Sequence, residues 1–248
     1  MSRAPVRLAR SMLAALFFVA YGLFGLVIGV LVSPFCSRRT ARALVRRAYR
    51  LFVGAGRLTG LFRVEAPDLR AVRGEIVVMN HLSLIDVVVL LSLLGDSTCV
   101  VKAAIRRNPF LRAVVGRIFI FNDEDPAVTR ERVCASLAEG TNVVVFPEGT
   151  RIPAAASVHP LRRGAARLAL AAQAPVRVLH LAVTPPVLAK GQSWHRVGDR
   201  TVVYRIESRG VLRPEGADDY RHAVALTHQI GRALFGPGWK SAVPEHES

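Results

Sequence analysis

From about residue 60 onward, short β-branched runs alternate with stretches whose apolar positions recur every three or four residues. Period two marks half-buried strands and period 3.6 marks amphipathic helices. The pattern predicts strands over Phe62–Glu65, Glu75–Met79, Thr98–Lys102, Ile118–Phe121, Asn142–Phe146, Arg177–Val183 and Val202–Glu207. It predicts helices over Leu84–Leu94, Pro109–Val115, Pro126–Glu139, Arg162–Gln173 and Asp218–Leu234. Such alternation implies one α/β domain, 60–240, with a mixed sheet covered by helices. The closing SAVPEHES, 241–248, reads as a tail.

The first 59 residues follow another pattern. Met12–Val32 carries no charge; as a helix it would reach about 30 Å, the thickness of a bilayer core. Arg3, Arg7 and Arg10 precede it as in a signal peptide, but the run is long and SPFCSRRTAR offers no A-x-A cleavage site. The expectation is therefore a membrane-anchoring helical segment, either spanning or re-entrant. Beyond Pro34, Leu44, Val45, Ala48, Phe52, Ala55 and Leu58 recur at helical spacing, with Arg39, Arg42, Arg46, Arg50 and Arg57 largely elsewhere. That pattern suits a helix lying on anionic lipid, its arginines among phosphates. An ordinary amphipathic helix on the domain core is the alternative. The arginines place this side in the cytoplasm, at the inner membrane of a bacterium.

Composition sharpens the choice of partner. The formal charge is +16, almost wholly arginine, since lysine occurs only at Lys102, Lys190 and Lys240. Arginine stays charged and its planar fork fits phosphate oxygens, so an anionic partner is expected. Aromatics are few and not interleaved with basic residues, and no zinc-ligand spacing occurs, which disfavours nucleic acid. Three scattered cysteines, Cys36, Cys99 and Cys134, give neither a disulfide framework nor a metal cluster.

Candidate chemistry begins at NHLSLID, residues 80–86, between EIVVM and VVVLLSLL. Ser83 and Asp86 approximate a capping box and could simply start a helix. That reading leaves Asn80 and His81 unexplained, a polar pair at the C-terminal end of a strand, where α/β sheets place their sites. His81 is suited to act as a base near neutral pH, with Asp86 on its far nitrogen. H-x-x-x-x-D alone is a common pattern. Downstream, VVVFPEGTR, residues 143–151, runs a buried strand into a turn at Gly149 flanked by Glu148 and Arg151, and LRRGAARLA, 161–169, adds a basic helix start.

Together these blocks resemble the glycerolipid acyltransferase family, of which the 1-acylglycerol-3-phosphate acyltransferases are the best-known members. NHLSLID is similar to its N-H-x-S-x-x-D block, FPEGTR to its F-P-E-G-T-R block, and LRRGAARLA to its F-K-x-G stretch, over roughly residues 60–190. The resemblance implies a membrane-associated O-acyltransferase without cofactor or metal, whose acyl-CoA or acyl carrier protein is a co-substrate. His81 would deprotonate a lyso-lipid hydroxyl, and Asp86 would orient and compensate His81. Asn80, Lys102, Glu148, Gly149, Thr150 and Arg151 would serve substrate binding, with Arg151 on an acceptor anion. One departure is Asn122, where the family commonly has an arginine; Arg112 and Arg117 are the nearby basic residues. The acceptor headgroup is thereby left open. A transacylase or thioesterase acting on another lipid, or a silent lipid- or carrier-binding relative, are the alternatives.

Overall fold

A computed structural model describes residues 4–27, 35–102, 105, 118–122, 125–152, 160–189 and 198–239. The elements run α1 (Ala4–Val27), α2 (Arg38–Leu58), β1 (Phe62–Glu65), β2 (Ile76–Met79), α3 (Asp86–Leu93), β3 (Ser97–Val101), β4 (Ile120–Phe121), α4 (Pro126–Ala138), β5 (Asn142–Val145), α5 (Gly164–Ala172), β6 (Val176–Thr184), β7 (Val202–Leu212) and α6 (Tyr220–Phe235). The expected α/β class and mixed sheet are found, and most expected elements lie within two residues of their predicted bounds. The expected helix Pro109–Val115 and the tail 241–248 lie outside the described residues.

The strands form one sheet of seven in the order β1-β7-β6-β2-β5-β3-β4. β6, β2, β5, β3 and β4 are mutually parallel, while β7 runs antiparallel to β6 and parallel to β1. Strict alternation splits the central strands between two cores. Val77 and Met79 of β2 join α2 and α3 on one face. Ile76 and Val78 join α4, α5 and α6 on the other. Both faces are covered, so β2 and β5 read as continuous β-branched runs.

This topology dictates where a site can form. β2 leaves the sheet toward α3 on one face and continues to β3 on the far side of β5. β5 leaves toward α5 on the opposite face and continues to β6 on the far side of β2. The two connections diverge at the carboxyl ends of neighbouring strands, the switch point where open α/β sheets hold ligands.

The front end differs from expectation. α2 buries Ala41, Val45, Ala48, Phe52 and Gly56 against the domain, and Leu58 is exposed. Arg42 makes a bidentate pair with Asp96 at 2.8 and 3.0 Å, Arg46 donates to Gly95 O at 3.2 Å, and Arg50 donates to Ser92 O at 2.9 Å. Arg46 and Arg50 therefore satisfy carbonyls around the C-terminus of α3, Arg42 holds the Asp96 carboxylate just beyond it, and these three are spent on the domain and not on lipid phosphate. α1 is likewise docked on one side. Phe17 packs on Phe52 with ring centroids 4.7 Å apart, Tyr21 on Phe52 at 4.3 Å, and Arg10 donates to the carbonyls of Gly60, Gly198 and Arg200. Its other side exposes Leu8, Met12, Leu16, Val19, Leu23 and Val27. The anchor expected over Met12–Val32 is not shown: among the described residues no helix is long and apolar enough to cross a membrane.

Candidate active site

The sheet's carboxyl edge gathers the motifs that sequence separates. β2 ends at Met79, opposite Leu179 of β6. The Asn80 side chain then continues the ladder: its amide donates to Leu181 O at 2.9 Å and its carbonyl accepts from Leu181 N at 2.6 Å. Asn80 thus acts as a substitute peptide unit. It is buried, and it is not among the residues that line the cavity described below.

With the strand end clamped, the chain turns through His81 into α3. His81 Nδ1 lies 3.0 Å from Asp86 Oδ2. The same oxygen accepts from Leu82 N and Ser83 N, each at 2.7 Å. An oxygen receiving two amide hydrogens has no proton to give, so Nδ1–H donates, which in the neutral imidazole puts the lone pair on Nε2. Asp86 is 0% exposed. Burial pushes its carboxyl above the usual range, and the imidazole and the two amides pull it back. Its other oxygen, Oδ1, has no partner among the described residues.

The capping box is only half realised. Asp86 reaches back to Ser83 N, but the Ser83 hydroxyl does not cap α3. It pairs with Tyr204 OH of β7 at 3.0 Å, beneath the loop. Burial drives the Tyr204 phenol upward, so it remains a neutral hydroxyl there.

The second loop follows β5, next to β2. Phe146 stacks on the His81 ring at 4.3 Å. Gly149 takes φ +66°, closing the turn through its N–H to Phe146 O at 3.0 Å. Glu148 Oε1 accepts from His81 N at 3.3 Å, while Oε2 is buried without a partner among the described residues. Burial raises the Glu148 carboxyl to about 7, and the nearby Asp86 charge adds to the rise. Glu148 and Arg151, which flank the turn, form no ion pair with each other. Arg151 Nη1 donates instead to Leu188 O at 2.9 Å, the carbonyl that also accepts from Leu84 N. Ile152 N donates to His81 O at 2.9 Å. The loops after β2, β5 and β6 are thus sewn into one unit.

A cavity of about 920 Å³ opens over this unit. His81, Lys102, Gly149, Thr150 and Arg151 all line it, as does Asn122, while Asn80, Asp86 and Glu148 support it from behind. Lys102 and Asn122 arrive from the carboxyl ends of β3 and β4; Arg112 and Arg117 lie outside the described residues. Sequence reasoning missed Phe146 as the ring support, Leu188 as the loop clasp and Tyr204 as the hydroxyl under Ser83. Phe146 opens the FPEGTR block, which was the signal for it; nothing near Leu188 or Tyr204 signals a site. Among the described residues no group of His, Cys, Asp and Glu could hold a metal ion.

A histidine held by a buried carboxylate thus lines a partly apolar cavity that Lys102 and Arg151 line as well. A family model described as Acyltransferase matches residues 61–180. That stretch contains both blocks, NHLSLID and FPEGTR, and its match supports an acyltransferase, as the motifs indicated. Its fold is similar to the crystal structure of the 1-acyl-sn-glycerophosphate (LPA) acyltransferase PlsC from Thermotoga maritima, with TM-score 0.63 and 19% identity over 89% of this chain and 94% of that one. A comparison with curated proteins gave no match.

Proposed function

We propose that the protein transfers a fatty acyl group from a thioester donor, acyl-CoA or acyl carrier protein, to the hydroxyl of a lysophospholipid such as 1-acylglycerol-3-phosphate. The observation that carries the reading is the His81–Asp86 pair, with His81 lining the cavity, Nδ1 committed to the carboxylate and Nε2 left as the base. Nε2 takes the hydroxyl proton as the oxygen attacks the thioester carbonyl carbon. Asp86 compensates the imidazolium that forms. The C–S bond then breaks and the leaving thiolate takes the proton from Nε2, so that ester and free thiol result. Ser83 plays no nucleophilic part, since its hydroxyl is buried against Tyr204. Lys102, Thr150 and Arg151 contact the acceptor's anionic group; Asn80, Glu148 and Gly149 shape the pocket. The reaction needs no metal or cofactor.

Membrane association belongs to the same proposal. α1 presents an apolar stripe on the side away from the domain, and Phe35, Leu51 and Leu58 add exposed apolar surface near it. A helix docked on one face and apolar on the other suits burial in one leaflet parallel to the membrane plane. The cytoplasmic leaflet of a bacterial inner membrane fits the excess of arginine.

The test is thiol release from acyl-CoA and acyl carrier protein across a panel of lyso-lipid acceptors, with His81→Ala as control. Acceptor-dependent release that disappears in the variant is expected. Release that survives His81→Ala, or that ignores every acceptor, overturns the reading.

A further inference from the structure

The cavity has two unlike halves. On the α3 side its wall is apolar, formed by Leu84, Val87, Cys99, Val101 and Ile105. On the α4–α5 side it carries Arg130, Arg162 and Arg167, and the acidic residue among them is Asp218. Arg130 and Arg167 approach the Asp218 carboxylate at 3.3 and 3.5 Å, longer than the roughly 2.7–2.9 Å of a tight charge-assisted bond. Both guanidiniums remain more than half exposed. Arg162 lies over Gly149, and its guanidinium has no hydrogen-bond or ionic partner among the described residues. Three permanent cations thus face one loosely held carboxylate.

Two further observations point the same way. α5 starts at this wall with no side-chain cap and no acid in its first turn, and Gly164 and Ala165 line the cavity. A helix start of that kind leaves N–H donors for an anion. The wall also does not end at Asp218. A second hollow of about 450 Å³ shares Ala127, Arg130 and Asp218 with the cavity and continues toward Cys134 and Leu170, so a groove extends along α4 and α5.

Acyl transfer brings two anions to such a site, and chemistry separates them. The acceptor's phosphate stands a few bonds from the attacking hydroxyl, so it belongs beside His81, with Lys102 and Arg151. The donor's phosphate stands the whole length of a pantetheine arm from the thioester, so it belongs further along the groove. We propose that the wall of Arg130, Arg162 and Arg167 at the start of α5 binds the phosphate ester of the donor's pantetheine arm. The acyl chain then lies on the apolar α3 side, and the thioester crosses the sheet edge at His81. This assignment rests on the acyl-transfer reading. Coenzyme A and a holo acyl carrier protein share that phosphate, and the second hollow would receive what lies beyond it.

The test uses calorimetric binding to the full chain in detergent, with CoA, 4′-phosphopantetheine, pantetheine and holo acyl carrier protein as probes. CoA or the carrier protein should bind, with 4′-phosphopantetheine competing and pantetheine at least tenfold weaker. Arg130→Ala with Arg167→Ala should weaken binding tenfold or more, and the corresponding Lys pair should recover part of it. Both arginines are exposed, so the fold should survive; matching circular dichroism checks this. His81→Ala should bind as the parent does. In turnover, the Ala pair should raise KM for the thioester and leave KM for the lyso-lipid unchanged. Binding of the carrier protein alone would support the site and assign its source. Donor binding without acyl transfer would leave the site standing and remove the catalytic reading. Indifference of binding to the Ala pair, equal binding of pantetheine, absence of binding by all four probes, or a rise in lyso-lipid KM alone would each overturn the assignment.

Discussion

Glu148 offers a perturbation whose size follows from its surroundings. Its carboxyl is buried, with one oxygen accepting from His81 N at 3.3 Å and the other without a partner among the described residues. Burial raises its pKa from 4.5 to about 7. The folded state therefore holds this proton more tightly than the unfolded state. Between those two values the unfolded chain sheds the proton first, and stability falls as pH rises through the window. The contribution is intact below about pH 4.5 and fully lost above about pH 7. At roughly 1.4 kcal/mol per unit, the 2.5 units between 4.5 and about 7 correspond to about 3 kcal/mol. Glu148→Gln keeps a carbonyl for His81 N and cannot ionise, so that fall should vanish. Its buried NH₂ adds a desolvation cost of about 1–3 kcal/mol, but this cost does not vary with pH. Urea unfolding at pH 5.0 and 8.0 measures both proteins. Titrating groups not coupled to Glu148 cancel in the comparison, and the parent should lose about 2–3 kcal/mol more than the variant across the interval. Parallel pH dependences would refute the reasoning and mean that Glu148 is ionised when folded.

His81→Ala and Asp86→Asn should lower kcat by about 10²–10⁴, and circular dichroism should show that each keeps its fold. Asn80→Ala leaves the N–H and C=O of Leu181 without their side-chain partner; at about 1–3 kcal/mol per buried unsatisfied group, chemical denaturation should report a loss near 3 kcal/mol. Gly149→Ala forces a side chain into φ +66° with its Cβ 3.0 Å from Arg162, so a loss of about 1–2 kcal/mol and a raised acceptor KM are expected. Paired Leu16→Glu and Leu23→Glu substitutions on the outward face of α1 should abolish flotation with anionic vesicles while thiol release from soluble short-chain substrates persists.

The sequence by itself determined the class of fold, because period-two and period-3.6 patterns depend only on which faces are buried. It also determined the chemical blocks, since NHLSLID and FPEGTR carry their meaning in local order. Local order could not assign partners. Ser83 resembles a cap in sequence, yet a tyrosine 121 positions away takes its hydroxyl. Glu148 and Arg151 resemble an ion pair, yet one serves the amide of His81 and the other a carbonyl beyond β6. Arg42, Arg46 and Arg50 resemble lipid contacts until α3 ends beside them. Arg130 and Asp218 lie in no motif, and they meet Arg167 of the LRRGAARLA block only because α4, α5 and the start of α6 pack together on one face of the sheet. Each of these depends on strand order and on which face a crossover takes. Those choices are set by the summed burial of the whole chain and leave no trace in any short window.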